Sequence, residues 1–227
     1  MISLRRSNSR GHARHGWLDS RHSFSFANYY DPRFMGVSAL RVINDDWVKP
    51  GYGFDTHPHR DMEIISYVLA GQIEHKDTMG FHTVLSAGDV QVMSAGTGIL
   101  HSEYNPSNEE DLNFLQIWIQ PDRTGVTPRY QQMNIADHQG LSLIASADGR
   151  EGSLLIQQDA SLYSVRLDQP QQLALQPDRR YYLHLISGTL SANEVQLSAG
   201  DAISLSAESV LQLTDCQQAD ALLFDLP

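Results

Sequence analysis

The sequence GYGFDTHPHRDME, residues 51–63, and the later sequence SAGTGILHSEYN, residues 94–105, contain the polar residues that decide the fold. In an extended strand, alternate side chains point to the same face. The residues expected on one face of the first segment are His57, His59, Asp61 and Glu63. Apolar runs, IISYVL and VQVM, lie beside the two segments. The pattern predicts strands that turn polar side chains toward the interior of a β-barrel.

A second pair, His101 and Glu103, repeats the spacing of the first segment. Buried imidazole and carboxylate groups without partners cost several kcal/mol, so a cation is expected among them. Two histidines at this spacing are common, but a second pair on one face is a much stronger signal. The sequence therefore predicts a metal site with three imidazoles, and alternation leaves open whether Glu63 or Glu103 is its carboxylate.

Composition limits the class of protein. The chain has 227 residues, of which 41% are hydrophobic and 19% charged, as expected for a globular protein. Its one cysteine, Cys216, excludes an intramolecular disulfide and a cysteine-based zinc site, and we interpret it as a small core residue. No secretory signal and no membrane span are predicted, because long apolar runs are absent. We expect a cytoplasmic protein.

The charge of the chain argues against nucleic acid as a partner. The net charge is -11, which repels nucleic acid over most of the surface. The basic cluster in the first sixteen residues consists of Arg5, Arg6, Arg10 and Arg14. We interpret this cluster as a solvated arm or a cover over the barrel, and we expect no direct binding to nucleic acid.

Short β-like runs recur between turn signals, and helical periodicity is nearly absent. In the first half we predict strands over residues 39–44, 63–69, 72–76, 82–85, 89–93 and 113–119. In the second half we predict strands over residues 154–157, 163–167, 181–186, 202–205, 210–213 and 221–226. Short strands at this regular spacing predict a sandwich or barrel. The turn-rich residues 120–140 are the predicted domain connection.

The two halves carry a repeated sequence. LSAGD occurs at residues 85–89 and 197–201, after VLAGQIEH in the first half and LISGTLSA in the second. Echoes in a fixed order indicate a duplicated unit, so we predict domains over residues 1–135 and 136–227. After the connection, the second half has one histidine, His184, in an apolar strand. We therefore predict that the second domain has no metal site.

Four stretches of the first half carry a family resemblance. They are GHARHGWLDSRHSFSFANYYDP (residues 11–32), LRVINDD (40–46), HPHRDMEIISYVLAGQIEHKDTMG (57–80) and MSAGTGILHSEYNPS (93–107). These stretches resemble the pirins, a branch of the bicupin superfamily. Asp55 and Thr78 differ from the Gly and Ser that the family usually has there. The resemblance implies an all-β bicupin, two jelly-roll (cupin) barrels in tandem, with one metal in the first.

The pirin pattern also implies a set of ligands. The implied metal ligands are His57, His59, His101 and Glu103. The general cupin pattern HxHxxxE instead points to Glu63; we adopt Glu103, and interpret Glu63 as a group that orients a ligand imidazole. Nitrogen and oxygen donors suit one divalent transition metal ion, for which iron is our first choice and Mn, Co, Ni, Cu and Zn are alternatives. The absence of thiolates favours an open site.

Bacterial pirins resemble quercetin 2,3-dioxygenases, which cleave the central ring of a flavonol with O₂ and release CO. This implies a flavonol-like substrate, O₂, and a metal that acts as a Lewis acid. Glu103, or Glu63 when it is not a ligand, is the implied general base. The side chains that we interpret as apolar lining or as plain core are Phe24, Phe26, Tyr29, Tyr30 and Met93.

Animal pirins imply a different function for the same ligands. They resemble iron-dependent transcriptional co-regulators, in which the oxidation state of the metal changes the surface offered to a protein partner. The ligand motif serves a redox sensor without turnover as well as an enzyme. The sequence therefore keeps this regulatory role as the alternative.

Overall fold

The computed structural model describes all residues from Met1 to Pro227. In chain order the strands are β1 (Ile2–Arg5), β2 (Gly11–Arg14), β3 (Leu18–His22), β4 (Leu40–Val48), β5 (Gly53–Ala70), β6 (Gln72–Asp77), β7 (His82–Ser86), β8 (Asp89–Tyr104), β9 (Leu112–Ile119), β10 (Arg129–Asn134), β11 (Gly140–Ser146), β12 (Leu154–Leu155), β13 (Ser161–Leu167), β14 (Gln171–Ala174), β15 (Arg180–Ala192), β16 (Val195–Ser198), β17 (Ala202–Ser206) and β18 (Val210–Leu226). The helical segments are two 3-10 turns, Ser7–Ser9 and Arg150–Gly152. Neither turn has the length or apolar character to cross a membrane. The all-β prediction is confirmed.

The chain forms two compact units. The N-terminal unit consists of Gly11–Ala136 and Leu154–Gln158. The C-terminal unit consists of Met1–Arg10, Asp137–Ser153 and Asp159–Pro227. The boundary between residues 136 and 137 is one residue from the predicted boundary between 135 and 136. Two segments differ from the prediction: residues 1–10 belong to the C-terminal unit, and residues 154–158 belong to the N-terminal unit.

The first of these segments contains β1. This strand pairs antiparallel with β17, with Ile2 opposite Leu205, so it forms part of the sheet of the C-terminal unit. The side chain of Arg5 is buried. The interpretation of the basic N-terminus as a solvated arm or barrel cover is therefore wrong for residues 2–5, because their backbone groups are paired in a sheet.

The sheet of the N-terminal unit has the order β2-β3-β4-β9-β5-β8-β6-β7, and β10 pairs with β8. Its two central strands, β5 and β8, are long, with 18 and 16 residues. Each joins an apolar run to one of the histidine-containing segments in a single strand, so both segments are part of the sheet. β10 lies inside the predicted domain connection, where the prolines before it and the turn residues around it made its short RYQQMN pattern hard to recognise as a strand.

A bulge at Asp61 divides β5 into two parts. The pairing with β8 shifts between His59 and Asp61, and Asp61 has a positive φ of 63°. Its carboxylate accepts a hydrogen bond of 2.7 Å from the Gly125 N–H, which stabilises this backbone conformation. Between the pairs that His59 and Asp61 form with β8, β8 has two residues against one in β5, so the extra residue lies in β8, and in β5 the left-handed Asp61 interrupts the alternation of side chains. The expectation that Glu63 shares a face with His57 and His59 is therefore wrong.

The sheet of the C-terminal unit includes the strand order β1-β17-β15-β18-β13-β11, with β14 beside β18 and β16 beside β15. Its core includes one cluster in which all residues but one are aliphatic: Val165, Leu167, Leu175, Tyr181, Leu183, Leu185, Leu190, Ala192, Leu197, Ile203, Leu205, Leu211, Leu213, Ala219, Ala221 and Leu223. The N-terminal unit contains smaller apolar clusters, one around Phe114 and one around Met93.

The repeated LSAGD sequence makes the same turn in both units. In the first, the Asp89 carboxylate accepts a hydrogen bond of 2.7 Å from the Ser86 N–H. In the second, Asp201 accepts one of 3.1 Å from the Ser198 N–H. The glycine before each aspartate has a positive φ, 92° and 80° respectively. The sequence repeat therefore corresponds to a structural repeat.

Candidate metal centre

The β5–β8 pair brings three imidazoles together. His57 lies directly opposite His101, and their Nε2 atoms are 3.1 Å apart. The ring centroid of His59 is 4.8 Å from that of His57 and 4.9 Å from that of His101. One nitrogen from each of the three rings lies within 4.8 Å of the others. The three histidines that the sequence singled out thus converge on one point.

All three rings have a lone pair to offer. The Nδ1–H of His57 can donate to the backbone oxygen of Asp55 at 2.6 Å, which leaves its Nε2 free to bind. Burial and the neighbouring imidazoles lower the pKa of His59 to about 4 and that of His101 to about 3. These two rings are therefore uncharged at neutral pH, as metal ligands must be.

Glu103 is a buried carboxylate held by three side chains. Its Oε1 accepts hydrogen bonds from Ser66 at 2.8 Å and Gln91 at 2.9 Å. Its Oε2 accepts one of 2.7 Å from Gln116. This network holds the Glu103 carboxylate in a fixed position close to the imidazoles.

Glu103 groups with a different pair of histidines. Its carboxylate, His101 and His75 each place one donor atom within 4.8 Å of the other two. The cluster of His57, His59 and His101 does not include it at that distance. His101 is common to both groups and so links the carboxylate to the three imidazoles.

Glu63 lies apart from both histidine groups. Its Oε2 accepts a hydrogen bond of 2.8 Å from Ser94, and the Gln157 backbone is a second hydrogen-bond partner of the carboxylate. Burial raises the pKa of Glu63 to about 7. Because the bulge turns this side chain to the opposite face of β5, nothing in its surroundings orients a ligand imidazole or supplies a base to the cluster.

Sequence reasoning missed the aromatic contact of His59. Trp118 packs edge-on against His59 at a centroid distance of 5.1 Å, and Phe26 packs against Trp118 at 5.5 Å. Of the other predicted lining residues, Met93 is part of the core and Tyr30 is 72% exposed. Trp118 lies in the alternating run LQIWIQP, but its relation to His59 depends on the pairing of β9 with β5.

A groove of about 580 Å³ lies over β5 and β8 beside His59. It is lined by Pro58, His59, Arg60, Thr78, Gly98, Ile99 and Leu100. Pro58 and Leu100 are opposite each other and alternate with the cluster histidines along the two strands, so their side chains face away from the cluster. The groove therefore lies on the outer face of the strand pair, and His57 and His101 do not line it.

The donor set fits a divalent transition metal ion. Imidazole nitrogens and a carboxylate without thiolates suit several such ions. The three imidazoles converge, and the Nε2 atoms of His57 and His101 face each other. The C-terminal unit has no comparable group of metal-ligating side chains.

Comparisons with known proteins agree with this geometry. The sequence profile of the Pirin family matches residues 3–119, and that of the quercetinase C-terminal cupin domain matches residues 143–226. The chain is 51% identical to a quercetin 2,3-dioxygenase of Escherichia coli K12, over 100% of this chain and 99% of the relative. It is 40% identical to a pirin-like protein of Caulobacter vibrioides, over 99% of both chains.

Solved structures give the same result. The crystal structure of the bacterial pirin YhhW of Escherichia coli in complex with nickel(II) is similar to this chain with a TM-score of 0.97 and 51% identity. The alignment covers 100% of this chain and 99% of that one. The fold and family predicted from the sequence are thereby confirmed. This two-cupin chain, with its imidazole cluster in the first barrel, is a member of the pirin family.

Proposed function

We propose that this protein is a metal-dependent dioxygenase that cleaves a flavonol such as quercetin with O₂. The observation that carries the proposal is the cluster of three converging imidazoles, linked through His101 to a buried carboxylate. Relatives that share half of its residues over their whole length bear the name quercetin 2,3-dioxygenase. The prediction from the sequence agrees with these names.

The proposed metal ligands are His57, His59, His101 and Glu103. The proximity of the histidines and the absence of charge on His59 and His101 support the nitrogen ligands. Glu103 is proposed as the oxygen ligand because it lies next to His101. When bound, the ion would supply a Lewis acid for the flavonol oxygens. We propose iron as the native ion, although nickel(II) binds to the similar bacterial pirin.

The side chains around the cluster have separate roles in this proposal. Glu103 takes the proton of the flavonol 3-hydroxyl, and Ser66, Gln91 and Gln116 hold its carboxylate in place. The rigid indole of Trp118 fixes the plane of His59 through the edge-on contact.

Aerobic incubation of the metal-loaded protein with quercetin tests the activity. We expect loss of the visible absorption of quercetin and release of CO. A flavone without the 3-hydroxyl is the matched control and should remain unchanged, because it has no proton for Glu103 to remove. Absence of turnover with Fe, Mn, Co, Ni and Cu would contradict the proposal and leave the metal-dependent sensor with a protein partner.

A further inference from the structure

A buried His–Asp pair lies beside the candidate metal centre and has no role in the function proposed so far. The Nε2 of His75 is 3.0 Å from Oδ2 of Asp77, and neither side chain is exposed. The other carboxylate oxygen of Asp77 accepts the N–H groups of Met79 at 2.8 Å and Phe81 at 3.1 Å. The carboxylate is therefore fixed in place. Since it can only accept, the proton of His75 lies on Nε2, and the lone pair lies on Nδ1.

His101 requires a hydrogen-bond acceptor for one of its ring nitrogens. Its Nε2 faces the Nε2 of His57, so its Nδ1 carries the proton when the ring binds a metal. A ligand histidine almost always donates this second N–H to an acceptor. The Nδ1 of His101 is buried without a partner, and so is the Nδ1 of His75.

The two rings lie next to each other on adjacent strands. In the pairing of β6 with β8, Asp77 is opposite His101 and His75 is opposite Glu103. The ring centroids of His75 and His101 are 5.4 Å apart. The Tyr130 ring covers His75 at 4.8 Å, so water does not compete for its free nitrogen. The two unpartnered Nδ1 atoms therefore belong to neighbouring rings on adjacent strands.

We infer that Asp77 and His75 are positioning residues that orient the metal ligand His101. Asp77 accepts the Nε2–H of His75, and the Nδ1 of His75 accepts the Nδ1–H of His101. This chain holds the His101 ring so that its Nε2 points at the metal. The inference rests on the proposed metal centre, because it assigns His101 as a ligand.

The sequence repeat supports this role. When VLAGQIEH is aligned with LISGTLSA, the position of His75 corresponds to Ala192, which is buried in the aliphatic core of the C-terminal unit. The unit without metal-ligating histidines thus also lacks the His75–Asp77 pair. A purely structural pair would have no reason to accompany the metal centre.

The substitution Asp77→Asn tests the proton arrangement. Asparagine keeps an oxygen for the N–H groups of Met79 and Phe81, but its amide donates to His75 Nε2 and moves the proton of that ring to Nδ1. His75 then cannot accept from His101. The matched control is Glu74→Gln, which alters the exposed pair of Glu74 and His82, 2.9 Å apart on the same hairpin.

Two measurements separate positioning from folding. In competition with a chelator, Asp77→Asn should bind Co²⁺ roughly 10–100-fold more weakly than wild type, and Glu74→Gln should bind it like wild type. In proton NMR spectra of the Co²⁺ protein, one slowly exchanging imidazole N–H signal should be present in wild type and in Glu74→Gln, and absent in Asp77→Asn.

A pair of His75 variants provides the rescue test. Glutamine can donate to Asp77 and accept from His101, so His75→Gln should keep most of the affinity that His75→Leu loses. Equal affinity and spectra for Asp77→Asn and Glu74→Gln would overturn the inference, as would a fourth coordinated imidazole in wild type, which would make His75 a ligand. If wild type bound no Co²⁺, the metal centre itself would be wrong, and the inference with it.

Discussion

The interiors of the two units differ at a few corresponding positions. Alignment of the repeats places Ser66, which donates to Glu103, opposite Leu183, and His75 opposite Ala192. Leu183 and Ala192 both belong to the aliphatic core of the C-terminal unit. At these positions the N-terminal unit has polar side chains beside its candidate metal centre, and the C-terminal unit has aliphatic side chains in an apolar core. The comparison indicates that the barrel tolerates either interior.

The positions that hold the scaffold are the same in both units. Gly71 and Gly188 occupy the same place in the repeat and have φ values of 73° and 75°. A Cβ would lie 2.6 Å from a backbone oxygen at Gly71 and 2.3 Å from one at Gly188. Neither position therefore accepts a larger residue. The fold depends on these two glycines, and the chemistry depends on side chains that the glycines do not constrain.

Removing a histidine from each unit in turn should give the largest difference between the two units. His101→Ala should lower bound metal more than about tenfold, because it removes a ligand shared by both histidine groups. His184→Ala removes the buried histidine of the C-terminal unit and should leave metal content unchanged. Elemental analysis of both purified variants measures the difference. Equal metal in wild type and His101→Ala would show that the cluster is not the site.

The two buried glutamates of the N-terminal unit give a second contrast. Glu103→Gln should lower turnover by roughly 100-fold, because the amide cannot take a proton from the substrate. Glu63→Gln should keep near-normal turnover, since Glu63 lies on the opposite face of β5. Initial rates of quercetin loss at saturating metal measure both effects. Equal losses in the two variants would contradict the separation of the two carboxylates.

Glu63 should instead affect stability, and only at higher pH. Its pKa is about 7 in the folded unit against an ordinary value of 4.5, so folding binds a proton between these values. Wild-type stability therefore falls as pH rises through this window. Glu63→Gln should gain up to about 3 kcal/mol over wild type above pH ~7, and nothing below pH ~4.5.

Urea unfolding followed by tryptophan fluorescence measures this effect in the right unit, because Trp17, Trp47 and Trp118 all lie in the N-terminal unit. Ser94→Ala, which removes the hydrogen-bond donor of Glu63, serves as a control for the local packing. A stability difference between wild type and Glu63→Gln that did not vary with pH would contradict the raised pKa.

The sequence was sufficient for the imidazole cluster and insufficient for its surroundings. His57, His59 and His101 were predictable because their spacing and the adjacent apolar runs are local features. The face on which Glu63 lies could not be predicted, because Asp61, which interrupts the alternation of β5, makes its hydrogen bond to Gly125, far along the chain. A single inserted residue in the pairing was enough to reverse the prediction.

Long-range pairing explains the other differences. Gln91 and Gln116 are ordinary polar residues in apolar strands, and they acquire a role only where β8 and β9 flank β5 and meet Glu103. The position of His75 beside His101 likewise follows from the pairing of β6 with β8. Side chains that meet only because of the register between paired strands leave no local pattern in a single sequence.

The pairing of β1 with β17 has a consequence for biosynthesis. Ile2 leaves the ribosome long before its partner Leu205 is made. The opening strand must therefore stay unpaired while the whole N-terminal unit is synthesised, and until it docks, β17 has an open edge that other chains can join. Completion of the C-terminal unit thus depends on closing a very long loop, which is a slow step in folding.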